Sequence, residues 1–449
     1  MTEITIGIDI GTSSVKAVAV DADGAVVRSA RIPHAFFVPA PQRFEHDPQC
    51  WFDGPRRALE ELRAPELAPR AVSVAAMVPS LGAVDAHGHA AGPGLLYGDE
   101  RGRGGTGNPA ESGELGRFLA WLAHEVPDAH GYWPAQAVAN FALTGSAVLS
   151  TTAAAACYPL FNFSGWDEPL VTAAGARVEQ MPVLVPGGRP AGALTLDGLG
   201  DCLLEGGTID AMGEQIVAGC DEPGDVLVIC GTTLIVWCVT DGPAEAPGYF
   251  PIPHTTPGRY LLGGPSNAGG LFLDWARRLL AADADAVAAG AGEPHGVDPA
   301  NVPLWVPYPR GERVPLDDPD RRAAVHGLDL THGPRAVLRA AFEAAGFVTR
   351  RMIEASPVPA RRIVATGGGA RVPLWVQCLA DATNLRVDVV AVPEGGALGA
   401  AWLARQAAGL ETSLDGARRW SRIARTVDPD PMWLHHVDDR YRRWRALAD

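Results

Sequence analysis

A chain of 449 residues is two to three times the size of a typical domain of about 150 residues, so a single core is not expected. Its 37 basic side chains face 52 acidic ones, a net charge of −15, which repels phosphate backbones and excludes nucleic acid as a partner. With 47 % hydrophobic and 20 % charged residues and no apolar run near the roughly 18 residues of a membrane span, a soluble globular protein with no membrane partner is expected. The opening MTEITIGIDIG lacks the basic region and cleavage site of a signal peptide. Seven scattered cysteines without Cys-x-x-Cys spacing argue against a metal cluster or a disulfide framework, so the expected location is the cytoplasm. Arginine supplies 36 of the basic residues and lysine one, Lys16.

In chain order, the first thirty residues predict a β-meander: ITIGIDI, a Gly-Thr-Ser-Ser turn, SVKAVAV, an Asp23-Gly24 turn and AVVRSARIP. Residues 52–64, 113–126 and 133–145 carry helical spacing, and AVSVAAMV (71–78) reads as a strand before a hairpin. VLVICGTTLIVWCVTDG (226–242) repeats the opening layout 220 residues later, and this predicts an internal duplication of one α/β domain. The Asp-Glu-Pro-Gly-Asp turn near 220–225 divides the chain into domains 1–222 and 223–449. Residues 241–260 are Pro-rich and read as a loop. Beyond them, FLDWARRLLAADADAVAAG and PRAVLRAAFEAAGFVTRRMIEA read as long amphipathic helices, and RRIVATGGG as a strand entering a Gly-rich turn and a helix. The Arg-, Asp- and Trp-rich tail after about 412 has no role assigned from the sequence.

Three Gly-rich turns stand out, at 11–13, 231–233 and 367–370. A glycine followed by small hydroxyl residues turns backbone N–H groups outward as an anion cradle, and a helix N-terminus after Gly-Gly-Gly-Ala suits an electron-rich ligand. Asp9 ends an apolar strand just before the first turn, where a carboxylate can hold a hydrated Mg²⁺ against phosphates. Lys16 is within reach of a phosphate or of Asp9.

These residues carry a resemblance. DIGTSSVK (9–16) is similar to the DxGTSxxK opening of the FGGY carbohydrate kinases, in the sugar kinase, Hsp70 and actin superfamily. FEHDPQCWFD (44–53) resembles the family's EQDPxxWW segment, LLYGDERG (95–102) its ILWxDxR segment, and PYPRGERVPLDDPDRRAAVHGL (307–328) its PYLxGERxPxxDPxARGxxxGL block. Residues 367–387 and PEGGALGAAWLA (393–404) resemble its C-terminal signature, and xylulokinase-like members are the nearest group.

The resemblance implies two duplicated ribonuclease-H-like (actin-like ATPase) α/β domains with an interdomain cleft. ATP phosphates would lie on Gly11, Thr12, Ser13 and Lys16 and on Gly231, Thr232 and Thr233, with the adenosine on Gly368, Gly369 and Ala370. Asp210, in a Gly-flanked segment ahead of the second turn, takes the place of the catalytic base; Asp221 and Asp225 are rivals that read as turn residues. Mg²⁺ falls to Asp9 and Asp210, and the sugar to Met77, Val78, Pro79, Ser80, Asp99, Arg101 and Asp210. Two departures stand against the family pattern. Xylulokinases carry Gln-Met-His where Met77, Val78 and Pro79 stand here, and the link from Arg101 to Arg117 is short and Gly-rich. The expected reaction is ATP-dependent phosphorylation of a primary hydroxyl on a ketose or polyol. Xylulose, ribulose, glycerol, erythritol and gluconate stay open as acceptors, and so does a homodimer. A nucleotide-binding sensor or ATPase on the same fold is the alternative.

Overall fold

The computed structural model describes residues 2–102, 114–281, 297–392 and 394–449. They form two compact units: Met1–Val217 with Glu394–Trp420, and Ala218–Pro393 with Ser421–Asp449. The division falls a few residues before the 222/223 boundary read from the sequence, and it departs from that reading in one further respect. Glu394–Trp420 packs with the first unit, although it lies deep in the second half of the chain.

In the first unit the sheet order is Val26–Pro33, Ser14–Val20, Thr2–Ile10, Leu67–Ala76, Leu203–Glu205, with Pro190–Ala193 outermost. The first three strands are antiparallel neighbours, and Leu67–Ala76 and Leu203–Glu205 run parallel to Thr2–Ile10. Every residue from Ile4 to Ile10 is buried, as a strand covered on both faces requires. Helix Gln49–Leu62 approaches one face, with Gly54 against Val15, and helix Gly395–Ala407 lies on the other. That second contact depends on glycine. A Cβ on Gly7 would overlap the Ala397 carbonyl oxygen, and one on Gly213 would sit 2.6 Å from the Gly396 oxygen.

The second unit repeats this plan. Its central strands run Tyr260–Ser266, Leu234–Thr240, Asp225–Cys230, Arg362–Thr366, Val387–Val390. With the edge strands left out and the five central strands of each sheet numbered along the chain, both sheets read third, second, first, fourth, fifth. The first three strands are antiparallel and the last two parallel to the first. The duplication suggested by two short turns is a duplication of whole topology.

Other elements differ from the sequence reading for physical reasons. The Pro-rich stretch 241–260 supplies strand Phe250–Pro253 at the sheet's outer edge; an edge strand has one neighbour, so missing proline donors cost little there. The long helix read over 272–290 is shorter in the structure: helix Gly270–Leu279 ends at its C-cap Leu280, and Ala281 has a positive φ of 49°. Residues 282–290 of that reading lie outside the described residues. So does most of the Arg101–Arg117 link. From Ser421 on, the unassigned tail is a built part of the second core, while its first residues up to Trp420 belong to the first unit. Strand Ile423–Val427 extends the sheet, and helix Pro431–Ala448 buries Val437, Tyr441 and Trp444. Its Arg440 meets Glu343 at 2.7 Å, and Arg339 bridges Glu343 and Asp381 at 2.9 and 2.7 Å. Four buried charges paired in this way hold one another's solvation in place of water.

The Gly7 contact sets a stability expectation. Gly7→Ala forces helix Gly395–Ala407 off the sheet and should cost about 1–3 kcal/mol or more, as overpacking does. Gly200→Ala, whose added methyl meets nothing within 4 Å, should stay within about 0.5 kcal/mol. Urea midpoints compare the two, and equal midpoints would show that the helix yields at no cost.

Candidate active site

Three chain segments leave the first unit's sheet at the same edge. In the parallel register Asp9 and Thr208 both flank Ala75, and Ile10 and Ile209 both flank Ala76. Strand spacing of about 4.8 Å places the two outer strands about 10 Å apart, with Leu67–Ala76 between them. The chain then turns into Gly11-Thr12-Ser13 from the first strand, into Met77 from the middle one, and into Asp210 from the third. Met77 stays pinned to the first strand, its N–H donating to the Ile10 carbonyl at 3.1 Å. Asp210 opens helix Asp210–Ala218, where a carboxylate benefits from the helix dipole, and its Oδ1 accepts from the Ala211 N–H at 2.7 Å.

Asp9 is buried opposite Lys16 in the antiparallel register, and the Lys16 Nζ stands 3.9 Å from its Oδ2. Its Oδ1 is a buried atom with no hydrogen-bond partner among the described residues. Burial pushes the Asp9 carboxyl above its ordinary value, the Lys16 ammonium opposes that, and the Glu394 carboxylate adds to it. Gly396, at the start of helix Gly395–Ala407, packs against the Asp9 side chain, and a Cβ there would come 3.2 Å from its Cγ. An orphaned carboxylate oxygen beside a helix N-terminus is a cation-ready donor in a setting that tolerates anions.

The turn after Asp9 is tight. The Gly11 N–H donates to the Ser14 carbonyl at 3.1 Å, and the Thr12 hydroxyl lies 2.9 Å from the Tyr97 hydroxyl. The Thr12 carbonyl accepts from His46 Nε2 at 2.9 Å, and the Ser13 carbonyl from the His34 N–H at 3.1 Å. The amides of Thr12 and Ser13 donate to no group among the described residues. His34, His46 and Cys50 bring ligand-type atoms within 4.8 Å of one another. Both His46 nitrogens are already bonded, and burial pushes the Cys50 thiol up to about 12. A thiol that stays protonated is a poor metal ligand, so this trio is a packed cluster.

In the second unit a similar turn recurs, one residue shorter: Cys230 pairs with Leu234 where Ile10 pairs with Val15. The Gly231 N–H donates to the Thr233 carbonyl at 3.2 Å, while the Gly231 and Thr232 carbonyls accept from Gly270 and Leu271, the first residues of helix Gly270–Leu279. Strand Arg362–Thr366 runs parallel beside Asp225–Cys230, so the Gly-rich turn at 367 emerges next to the Gly231 turn. Gly367 has φ of +82° and packs on Cys230, and a Cβ on Gly369 would come 2.7 Å from the Cys230 oxygen. Gly368 is exposed with open space where a side chain would be, whereas Ala370 is buried. Asp225 is sealed by Arg361 and Arg362 at 3.0 and 2.9 Å.

Two models of known families match the chain: the N-terminal domain of the FGGY family of carbohydrate kinases over residues 4–104, and the C-terminal domain of the same family over 226–408. The chain belongs to the FGGY family of carbohydrate kinases. It is 26 % identical to the xylulose kinase of Escherichia coli over 91 % of either chain, and 26 % identical to the gluconokinase of Bacillus subtilis over 100 % of this chain and 94 % of the relative. The crystal structure of a xylulose kinase from Rhodospirillum rubrum superimposes with a TM-score of 0.77 at 26 % identity, covering 98 % of this chain and 97 % of that one. A ligand-bound xylulose kinase from Lactobacillus acidophilus reaches 0.83 at 22 % identity over 99 % and 97 %, a likeness of fold. The protein is therefore a phosphotransferase with an alcohol acceptor, built on two actin-like ATPase domains. No helix among the described residues is long and apolar enough to cross a membrane.

The residues read as sugar contacts in this kinase are engaged in different ways. Val78 and Pro79 are half-buried, and Met77 is buried. The Ser80 hydroxyl accepts from the Ala135 N–H at 3.2 Å, at the start of helix Ala135–Thr144. Asp99 is fully buried, and its two oxygens accept from Phe44 N–H, Arg101 N–H, Arg101 Nε and the Arg101 terminal nitrogen, at 2.6 to 2.9 Å. Arg101 reaches Glu45 at 2.8 Å as well and lies 4.5 Å over the Trp121 ring. Sequence reasoning missed His46 and also Glu312. Glu312 accepts from the Ser266 hydroxyl and the Asn267 N–H just ahead of helix Gly270–Leu279, and burial pushes its carboxyl up to about 7. Its signal was present in the GER of residues 311–313, but no chemistry pointed to its role.

The saturation of Asp99 gives a direct test. Asp99→Asn leaves Glu45 as the one carboxylate paired with the Arg101 guanidinium among the described residues, and should lower unfolding free energy by up to about 3–5 kcal/mol, the cost of a broken buried pair. Urea unfolding beside acceptor kinetics separates the roles. A variant as stable as the parent, with only the acceptor KM raised, would make Asp99 a sugar ligand.

Proposed function

We propose that this kinase transfers the γ-phosphoryl group of ATP to a primary hydroxyl of a ketose or polyol, with Asp210 as general base. The observation that carries the reading is the shared sheet edge, where the Gly11–Ser13 turn, the Met77 stretch and Asp210 leave three adjacent strands. A carboxylate placed there takes the hydroxyl proton as the phosphoryl group moves across. The outward amides of Thr12 and Ser13, and the corresponding Thr232 and Thr233, hold phosphate oxygens, and Lys16 adds an ammonium beside them. Gly368, Gly369 and Ala370 give the adenosine a flat backbone shelf.

The donor set suits Mg²⁺, which binds through hard oxygens and takes one or two protein carboxylates. Asp9, with its orphaned Oδ1, would hold it together with Asp210. When bound, the ion would neutralise charge on the phosphoryl oxygens. Seven free cysteines fit the reducing cytoplasm as the site of action.

Met77, Val78 and Pro79 form an apolar wall, and Ser80 is tied to Ala135. Such a wall discriminates weakly between acceptor hydroxyls, because no polar group is left unpaired by the wrong sugar. A panel of ketoses, polyols and gluconate in a coupled ADP-release assay should therefore show no strong preference for D-xylulose. A lead of about a hundredfold in kcat/KM for D-xylulose would refute this reading of the wall.

Asp210→Asn keeps the side-chain shape and removes the proton acceptor. It should lower kcat by about 10²–10⁴, while calorimetric ATP binding persists through the untouched turns. Asp221→Asn serves as the control. Near-normal turnover by the Asp210 variant, with collapse in the Asp221 variant, would move the base to Asp221.

A further inference from the structure

The two Gly-Thr turns are tied back by different means. In the second unit, the carbonyls of Gly231 and Thr232 are held by backbone amides of an arriving helix. In the first unit no helix N-terminus among the described residues does this. The Thr12 carbonyl, which like that of Thr232 follows the glycine of its turn, is held by a side chain, His46 Nε2 at 2.9 Å.

A trans peptide is planar, so the carbonyl of one residue and the N–H of the next point in opposite directions. Fixing the Thr12 carbonyl inward therefore fixes the Ser13 amide outward. In the second unit, the Leu271 bond on Thr232 does the same for the Thr233 amide. We propose that His46 is a positioning residue for nucleotide binding, its Nε2–H replacing that helix amide and aiming the Ser13 N–H at the phosphate.

The proton on Nε2 is itself enforced. Trp51 Nε1, a group that only donates, lies 3.0 Å from His46 Nδ1, so Nδ1 must accept and Nε2 must carry the hydrogen. Burial pushes the imidazole down to about 4, and the neighbouring His34 acts in the same direction. The ring thus stays neutral, and its tautomer is set by the indole. Trp51 is fully buried and cannot swing away. The EQDPxxWW pattern has glutamine where His46 stands and keeps the first tryptophan, and a glutamine amide can also donate to a carbonyl.

The inference rests on the reading that residues 11–13 take ATP phosphate, and the experiment keeps the two apart. MgATP binding by calorimetry and steady-state kinetics are measured for the parent, His46→Gln, His46→Leu and Trp51→Phe. One lost positioning bond in the leucine variant should raise the MgATP Kd and KM about tenfold, with the acceptor KM unmoved. Glutamine should restore most of the loss. Trp51→Phe should fall between them, since the proton is then free to settle on Nδ1. Unchanged MgATP binding in a folded His46→Leu overturns the proposal, and so does an equal loss for ATP and acceptor that glutamine fails to rescue. Should the leucine variant not fold, Trp51→Phe decides: parental ATP constants there overturn the proposal. A parent that binds no MgATP overturns the phosphate reading of the turn, and this inference with it.

Discussion

The first unit depends on one backbone-to-backbone approach, that of helix Gly395–Ala407 to Gly7 and Gly213. Three glycines, counting Gly399 against the Gly213 oxygen, clear the space between the helix, the first strand and the Asp210 helix. The two carboxylates of the candidate site stand on the partners of that contact. Asp9 lies two residues beyond Gly7 on the same face of the strand, and Asp210 three residues before Gly213. Any residue larger than glycine at these points would move one carboxylate relative to the other. Proximity of catalytic groups is worth most when the geometry is fixed beforehand, and here packing of the chain's main atoms fixes it.

The candidate site residues gather at one end of the central strands in both units, as ligand sites do generally in open α/β sheets. The reason is local. Some of these turns close antiparallel hairpins and others lead into crossovers, and either kind exposes amides and short side chains that the strand itself keeps paired. Duplication supplied two copies of such an edge, and each was finished differently. The first received carboxylates and a lysine, while the second received a second Gly-rich turn against Cys230.

The meander, the repeated turns and the amphipathic helices were legible because each is a short-range pattern of two or 3.6 residues. The candidate acidic residues were legible through the family motifs around them. What escaped the sequence is long-range. Nothing local says that PEGGALGAAWLA packs on a strand nearly 390 residues earlier, although its glycines are the residues that allow it. Asp99 and Arg101 look like free polar groups two residues apart, and only the fold shows that they close on each other. Phe250–Pro253 reads as loop because proline signals turns more often than edges. His46 sits in an acidic, Pro-flanked segment with no periodicity, and its role depends on a carbonyl 34 residues away.

The preference for arginine also has a practical side. Thirty-six guanidiniums are inert to reagents that acylate amines, and Lys16 offers the only ε-amino group in the chain. Its side chain is about one-third exposed, 31 %, and its nitrogen faces Asp9. An amine-selective label therefore finds one side chain, at the mouth of the first turn. The rate of that labelling becomes a native reporter of whether the turn is occupied, with no tag or engineered cysteine needed.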